Sequence, residues 1–584
     1  MKQTFISNYI NRMLPSIILS QIVMSICEVI DTALTGLFLG AQAVAAEGMV
    51  TPVVLIGLAV AGIMSAGNST ICSNESGKGN IDEINRVFST TVTVSIGFST
   101  ACTIFVLLFA SPLCQSLGLT PNTELFRLTK DYMLGYLPVL PIIAVIVTLP
   151  AILQIEGDNK TNVAAVLIVF VLDILFDLLN IFVFQGGVMG MALATTFSYY
   201  IAGILVLVRF FGKKRTIQFS FKFVELHRVK KILSYGTPYF INALCLGLTT
   251  GALNAAFLQF GSEIYVAAFA IVMKIGEILL CFAQGICEMT ATVTGITNGE
   301  EDRDGLKEIL QIMFRKSVTL NLVLIVVTCA MSSWLVQIFT DDAEIIALSS
   351  FGLQIFSTQF IFRSLILCYV GYLRGLTNFM AGNVILTVLT ICVAFFAFNA
   401  PLTFGVDAIW YSYTAAVTVT LLCIIFYVAY ATKKNPFDWE NLILKSDSYG
   451  IAKENFLEWE IGGIEKLCSC CESAAKFVKT HGGNERQIYL YSLFIEELGK
   501  NILSWAFRGD GKEHHLTVKI MYGADGFKLR FRDDGIQFDP AEYYHIHKGE
   551  TPTENFGIRM VFDMNPEVTY LNTMNLNNLI VKVT

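Results

Sequence analysis

The sequence predicts a polytopic all-α membrane protein with about twelve transmembrane helices, followed by a mixed α/β segment outside the bilayer. Hydrophobic residues make up 54% of the 584 and charged residues 15%, with a mean hydropathy of +0.61. Soluble domains sit near roughly 45–50% apolar and about 25% charged. The apolar residues gather into runs long enough to cross a ~30 Å hydrocarbon core, about 20 residues each. After about Lys433 the composition becomes that of an ordinary globular segment. The predicted units are a transmembrane body over 1–432, a linker over 433–452 and a tail over 453–584.

The apolar runs fall at roughly 12–40, 43–68, 86–112, 132–154, 163–184, 188–211, 233–258, 264–290, 308–337, 349–374, 378–400 and 404–431. Met1-Lys2-Gln3-Thr4-Phe5 lacks a short apolar stretch ending in a cleavage site, so the first span is expected to be the targeting element. The connection after the sixth run carries Lys213, Lys214, Arg215, Lys222, Arg228, Lys230 and Lys231, whereas the one after the ninth carries Asp341, Asp342 and Glu344. Positive loops stay inside. Both termini and the tail are therefore expected in the cytoplasm, with the body as a multi-pass plasma-membrane protein.

The net charge of −7 gives no reason to expect a nucleic-acid partner. Of the 14 cysteines, Cys102, Cys245, Cys281 and Cys392 sit singly among apolar residues, where a thiol serves as a small hydrophobe. Cys468-Ser-Cys470-Cys471 lacks a partner pair or His at zinc-like spacing and is read as buried thiols on a helix.

An internal repeat divides the body into lobes over about 1–212 and 230–432. Pro15 precedes Asp31 by sixteen positions, and Pro238 precedes Asn254 by the same sixteen. Ala45-Ala46-Glu47-Gly48 echoes Ala267-Ala268-Phe269-Ala270, and Glu156-Gly157-Asp158-Asn159 echoes Arg374-Gly375-Leu376-Thr377. Each half holds an even number of spans, so both enter the membrane in the same direction, with a cleft between lobes.

These features resemble the multidrug and toxic compound extrusion (MATE) family. The resemblance rests on Pro15 and Asp31, Gly77-Lys-Gly79-Asn80, Leu117-Gly118-Leu119-Thr120-Pro121, Gly157-Asp-Asn159-Lys160 and Gly187-Val-Met-Gly190-Met-Ala-Leu-Ala194-Thr195. It implies two six-helix bundles forming a V. It also implies export of cationic, amphipathic compounds in exchange for H+ or Na+.

Intramembrane acids are expected to carry the coupling, because an Asp at a helix centre costs about 2.5–3.5 kcal/mol on insertion scales and normally marks a pathway. Asp31, Asp173 and Asp177 are the candidates. Asp173 and Asp177 share a helix face, with Asn180 close to it. Acids crowded in a dry lobe favour holding and releasing a proton. The resemblance assigns the network to Asp31 and Asp177. Asp173 stands where the family often has Asn, which leaves proton and sodium both open. The structural alternative is that these acids cap or kink helices, as Glu28 would. In the second lobe, Asn254 is the repeat counterpart of Asp31. Lys274 and Glu277 either pair with each other or form a cation site, and Glu288 is open to the same two readings. None of the six histidines (227, 481, 514, 515, 545, 547) lies in a span, which excludes a His relay.

In the tail, Gln487 to Phe507 has helical spacing. Leu516–Tyr522 and Phe527–Phe531 alternate like paired strands, and Val568 to Val583 reads as a strand pair with an Asn-rich turn. Glu497-Leu-Gly-Lys-Asn501 and Asp533-Asp534-Gly535 with Phe538-Asp539-Pro540 resemble the GHKL ATPase fold, an α/β sandwich, in its anti-sigma-factor serine-kinase branch. The resemblance makes Glu497 the residue that orients a nucleophile and Asn501 the magnesium ligand. Asp533 and Gly535 form the adenine turn, and Gly557 belongs to the phosphate lid. Thr553-Glu-Asn-Phe-Gly557-Ile-Arg559 is a reduced lid, with Asn555 or Phe556 replacing a glycine. Fewer backbone N–H groups can then approach phosphate without strain. Mg-ATP binding is expected to outlast catalysis, leaving a degenerate ATPase or serine kinase.

The leading expectation is a secondary exporter with a small cationic substrate, a regulatory tail and a cytosolic protein partner. The rivals are a lipid-oligosaccharide flippase of the same superfamily and a serine kinase that uses the body as sensor. The phosphoacceptor helix of a sensor His kinase and a G-x-x-x-x-G-K-[ST] loop are both missing from the sequence.

Overall fold

The computed structural model describes residues 5–210, 217–446, 449–507, 514–523, 526–547, 556–564 and 567–583. Lys213, Lys214 and Arg215 of the basic connection, and Thr553 to Asn555 of the lid, lie outside the described residues.

The first lobe comprises α1 (Phe5–Leu39), α2 (Ala41–Lys78), α3 (Ile81–Ser116), α4 (Glu124–Tyr136), α5 (Leu140–Glu156), α6 (Asn159–Leu179) and α7 (Gly187–Phe210). The second comprises α8 (Val229–Phe260), α9 (Glu263–Gly299), α10 (Arg303–Gln337), α11 (Ala343–Ser357), α12 (Gln359–Gly375), α13 (Phe379–Phe404) and α14 (Ala408–Thr432). Among the described residues, 11 helices are long and apolar enough to cross a membrane, or 12 if the bent pair α11 and α12 is one span.

The repeat is visible in the way each fourth span breaks. In the first lobe α4 and α5 meet at the 3-10 turn Leu137–Val139, where Pro138 removes a backbone donor. In the second lobe α11 and α12 bend by 42° across Thr358. The sequence pairing of Gly157 with Gly375 shifts by two positions. The left-handed residue that closes the broken span is Gly157 (φ 78) in one lobe and Thr377 (φ 63) in the other. Asp158 and Asn378 then stand before α6 and α13.

The lobes meet along a seam in the halves of α1, α2, α8 and α9 nearest the tail. Backbone touches backbone there. A methyl group on Gly77 would sit 1.9 Å from the Ile296 carbonyl oxygen, one on Gly299 2.0 Å from that of Asn74, and one on Gly67 2.0 Å from that of Ile232. Polar groups stitch the same region. Asn298 Nδ2 donates to Asn74 Oδ1 at 2.6 Å, Asn74 Nδ2 to Gly375 O at 3.0 Å, and Thr292 Oγ1 to Gln154 Oε1 at 3.1 Å. Small residues that let helices approach closely are what packing in lipid requires, since lipid tails supply no hydrophobic drive.

After the short helix α15 (Trp439–Leu442), the tail folds as one sheet with helices on one face. Its elements are β1 (Phe456–Ile461), α16 (Ile464–Thr480), α17 (Glu485–Asn501), β2 (Leu516–Gly523), β3 (Gly526–Asp533), α18 (Pro540–His547), α19 (Phe556–Asp563), β4 (Glu567–Thr573) and β5 (Leu576–Lys582). The strand order is β1-β2-β3-β5-β4, all pairs antiparallel. Alternation fixes the faces. Leu529, Phe531, Leu579 and Val581 join the core with Phe494, Leu498 and Val561 of α17 and α19. Arg530, Arg532 and Ile580 take the opposite face, which rests on the transmembrane body. In the cysteine cluster Cys470 is buried but Cys468 is exposed, because only one side of α16 faces the core.

Candidate functional site

The first lobe holds three acids inside its bundle. Asp173 and Asp177 are both buried on α6, and α1 sets Asp31 where it interacts with both. Asp173 is held from two sides. Cys27 Sγ donates to its Oδ2 and Ser198 Oγ to its Oδ1, each at 3.2 Å. Asp177 is 1% exposed, and neither of its carboxylate oxygens has a hydrogen-bond partner. Burying a bare carboxylate is far costlier than burying a paired one. Asp177 is thus suited to carry a proton or a metal cation.

Asn180 is drawn elsewhere. It opens the π-helical turn Asn180–Phe184, where its Nδ2 donates to Gly187 O and its Oδ1 accepts from Gly186 N, both at 3.0 Å. Its amide closes the α6–α7 connection. Sequence reasoning missed Cys27 and Ser198. The signal was the short polar run Thr195-Thr196-Phe-Ser198 in an otherwise apolar span.

A second set of charges faces the space between the lobes. Lys274 Nζ lies 3.4 Å from Glu277 Oε2, with the two side chains 60% and 51% exposed. The pair acts on Glu28 of α1, and Lys274 also acts on Glu47 of α2, which accepts from Thr32 Oγ1 at 3.1 Å. Glu28 lies well inside α1, so it is no helix cap. Asn254 is half-buried on α8. Glu288 takes the structural reading instead. Its carboxylate grips the buried Arg374 guanidinium through two bonds of 3.0 and 2.5 Å.

The MatE family model matches residues 16–179 and 238–399, more than half of the chain and both repeats. The chain belongs to the MatE family. Two curated relatives are each named Multidrug export protein MepA. The one from Staphylococcus haemolyticus is 23% identical over 446 residues, covering 73% of this chain and 94% of the relative. The one from Staphylococcus saprophyticus is 25% identical over 263 residues, which is 44% of this chain and 57% of the relative. Among solved structures, a MOP-superfamily transporter from Pyrococcus furiosus has the same fold, with a TM-score of 0.66 at 19% identity over 71% of this chain and 93% of that one.

Beyond the MatE match, the tail has a cavity of about 230 Å³ whose walls include Asn501, Trp505, Asp533, Phe538, Tyr570 and Asn577. Asp533 is 3% exposed. Its Oδ1 accepts from Gly535 N at 3.0 Å and from Asn577 Nδ2 at 2.8 Å. Burial pushes the Asp533 carboxyl up to about 6, partly offset by those two bonds. The predicted Asn501, Asp533 and Gly535 therefore converge. Asn501 is followed by the π-helical turn Ile502–Ala506, a distortion often found at functional sites.

Glu497 stands apart from the cavity wall. Its carboxylate lies against Gly557 of α19, where a methyl group would sit 2.1 Å from Oε2. A side chain at position 557 would have to displace the Glu497 carboxylate. Sequence reasoning also missed Asn577 and Tyr570, which hydrogen-bond to each other at 2.7 Å. The readable signal was Asn within a strand interior, since a buried amide needs partners.

Proposed function

We propose that this MatE protein is a secondary active exporter of cationic, amphipathic compounds driven by H+ or Na+, with a tail that binds a magnesium nucleotide and regulates it. The partnerless, buried Asp177 beside Asp173 and Asp31 carries the transport half of this reading. Glu28 and Glu47 around the inter-lobe space favour positive cargo over an anionic lipid headgroup. The names of the staphylococcal relatives support multidrug export. Lys222, Arg228, Lys230 and Lys231 on the tail side support a cytoplasmic tail.

Ethidium uptake into inverted vesicles, with H+ and Na+ gradients imposed separately and no ATP present, tests this. Export is expected under at least one gradient and should stop when an ionophore collapses it. Each charge moved through 100 mV supplies about 2.3 kcal/mol. A strict need for ATP would sink the reading.

For the tail, the cavity is smaller than the roughly 300–1,000 Å³ of a drug-sized pocket, which suits a single flat base. Tyr570 and Phe538 offer it aromatic walls, and Asp533 an acceptor for an amino group. Asn501 would hold Mg2+ through its side-chain oxygen, and the metal would offset the charge of a nucleotide's phosphates. Glu497, packed on Gly557 away from the cavity, favours binding over turnover.

Asp533 makes the binding pH-dependent. Its carboxyl is ionised above about 6, and the ionised form is the stronger acceptor. Calorimetry of Mg-ADP with the full chain should show affinity falling about tenfold between pH 7.5 and 5, and Asp533→Asn should flatten that profile. Folding stability runs the other way. A raised carboxyl adds stability that is complete below its unfolded value of 3.8 and lost as pH rises through about 6. A pH-independent Kd in the parental chain would remove Asp533 from the site.

A further inference from the structure

The β4–β5 hairpin ends in a two-residue turn, Met574-Asn575, with φ of 57° and 58°. Such a turn needs positive φ at both positions, and Asn-Gly is the pair that adopts it readily. Met does not. A long side chain in the left-handed region persists where its surroundings hold it there.

The surroundings are the MatE lobes. Met574 is 3% exposed and packs in one apolar cluster with Tyr9 and Met13 of α1 and with Met289 and Val293 of α9. Its backbone N–H donates to the Ile155 carbonyl at 2.8 Å, at the end of α5. Asn575 sits so close to Gly157 that a methyl group there would lie 2.4 Å from Asn575 N. On the second lobe, Glu300 just beyond α9 is buried between Arg530, at 3.2 Å, and Arg532 of β3.

The tail thus holds both lobes at the end where they are closed. The α1, α5 and Gly157 contacts belong to one lobe, and the α9 and Glu300 contacts to the other. If the lobes part on the tail side, one set must break.

We propose that the β4–β5 hairpin is a clamp across the tail-side gate, which must leave its seat before the lobes can open there, so that the seated tail slows the transport cycle. This rests on the export reading only in requiring that the lobes part. It needs no nucleotide.

Two variants of the full chain test it. Met574→Gly keeps a turn that glycine favours and removes the wedge. Glu300→Gln leaves the hairpin untouched and removes the charge that holds Arg530 and Arg532. Hydrogen exchange at the amide of position 574 reads the seat, exchange over 577–582 reads the sheet, and ethidium export reads the cycle. In both variants the amide at 574 should exchange at least about tenfold faster while the sheet stays protected. Export should rise by about threefold, since opening no longer competes with docking.

A released hairpin with unchanged or slower export overturns the clamp. So does an amide at 574 that stays protected in both variants, because Met574 and Glu300 then do not hold the seat. Should the parental chain export no ethidium under either gradient, the export reading fails by itself. The clamp then stands or falls on whether release loosens exchange over 62–77 of α2 and 285–299 of α9.

Discussion

Asp177→Asn is expected to cut gradient-driven ethidium export by at least about 100-fold, a loss of ~2.7 kcal/mol or more of coupling, with expression close to parental. The amide keeps the volume but can neither take up nor release a proton, and it offers a metal cation no charge. Its new N–H donors enter a site where Asp177 has no partner, which costs stability by about 1–3 kcal/mol. Folding should survive that. Asp31→Asn should act likewise, because Asp31 is the neighbouring acid across the α1–α6 contact. Asp173→Asn should do less, since Cys27 and Ser198 already donate to that side chain. Export by Asp177→Asn at the parental rate, under the same gradient, would end the coupling hypothesis for this lobe.

The largest effect on stability is expected at Arg374. Its side chain is 7% exposed, and Glu288 supplies both of the hydrogen bonds its guanidinium makes to a carboxylate. Removing one partner of such a pair leaves an uncompensated buried charge and costs about 3–5 kcal/mol. Glu288→Ala should therefore lower the midpoint of heat-induced aggregation in detergent by several degrees. Arg374→Met combined with Glu288→Leu should recover most of that loss, because no lone charge remains. Lys274→Ala serves as the contrast. That pair is more than half exposed, and exposed pairs contribute roughly 0–1 kcal/mol. A melting loss at Lys274 equal to that at Glu288 would contradict this ranking.

Much of the architecture was legible in the sequence for simple reasons. A span announces itself by about 20 apolar residues in a row, and the equal Pro15–Asp31 and Pro238–Asn254 spacings each fall within a single helix, α1 and α8. The acids of α6 were legible because charge within an apolar run is rare. What escaped was everything that depends on partners far along the chain. Cys27 and Ser198 look like ordinary small residues until the fold brings α1 and α7 to Asp173. Asn180 looked like a member of the acid face, but the π-helical turn carries its amide to Gly186 and Gly187. In the tail, the α17 helix and four strands followed from periodicity. By contrast, β1 was not anticipated although Leu457, Trp459 and Ile461 alternate with Glu458 and Glu460, and Asn577 reaches Asp533 only through the β3–β5 pairing.

The seam between the lobes has a consequence for how this gate tolerates drift in its own sequence. At Gly67, Gly77 and Gly299 the opposing surface is a main-chain carbonyl rather than a side chain. Every residue type presents the same carbonyl. Ile232 and Ile296 opposite are held by the cores in which their side chains are buried, whereas each glycine is held by the seam contact itself. Gly77 and Gly299 also meet each other's backbone across the seam, so the close approach there depends on glycine in both lobes at once.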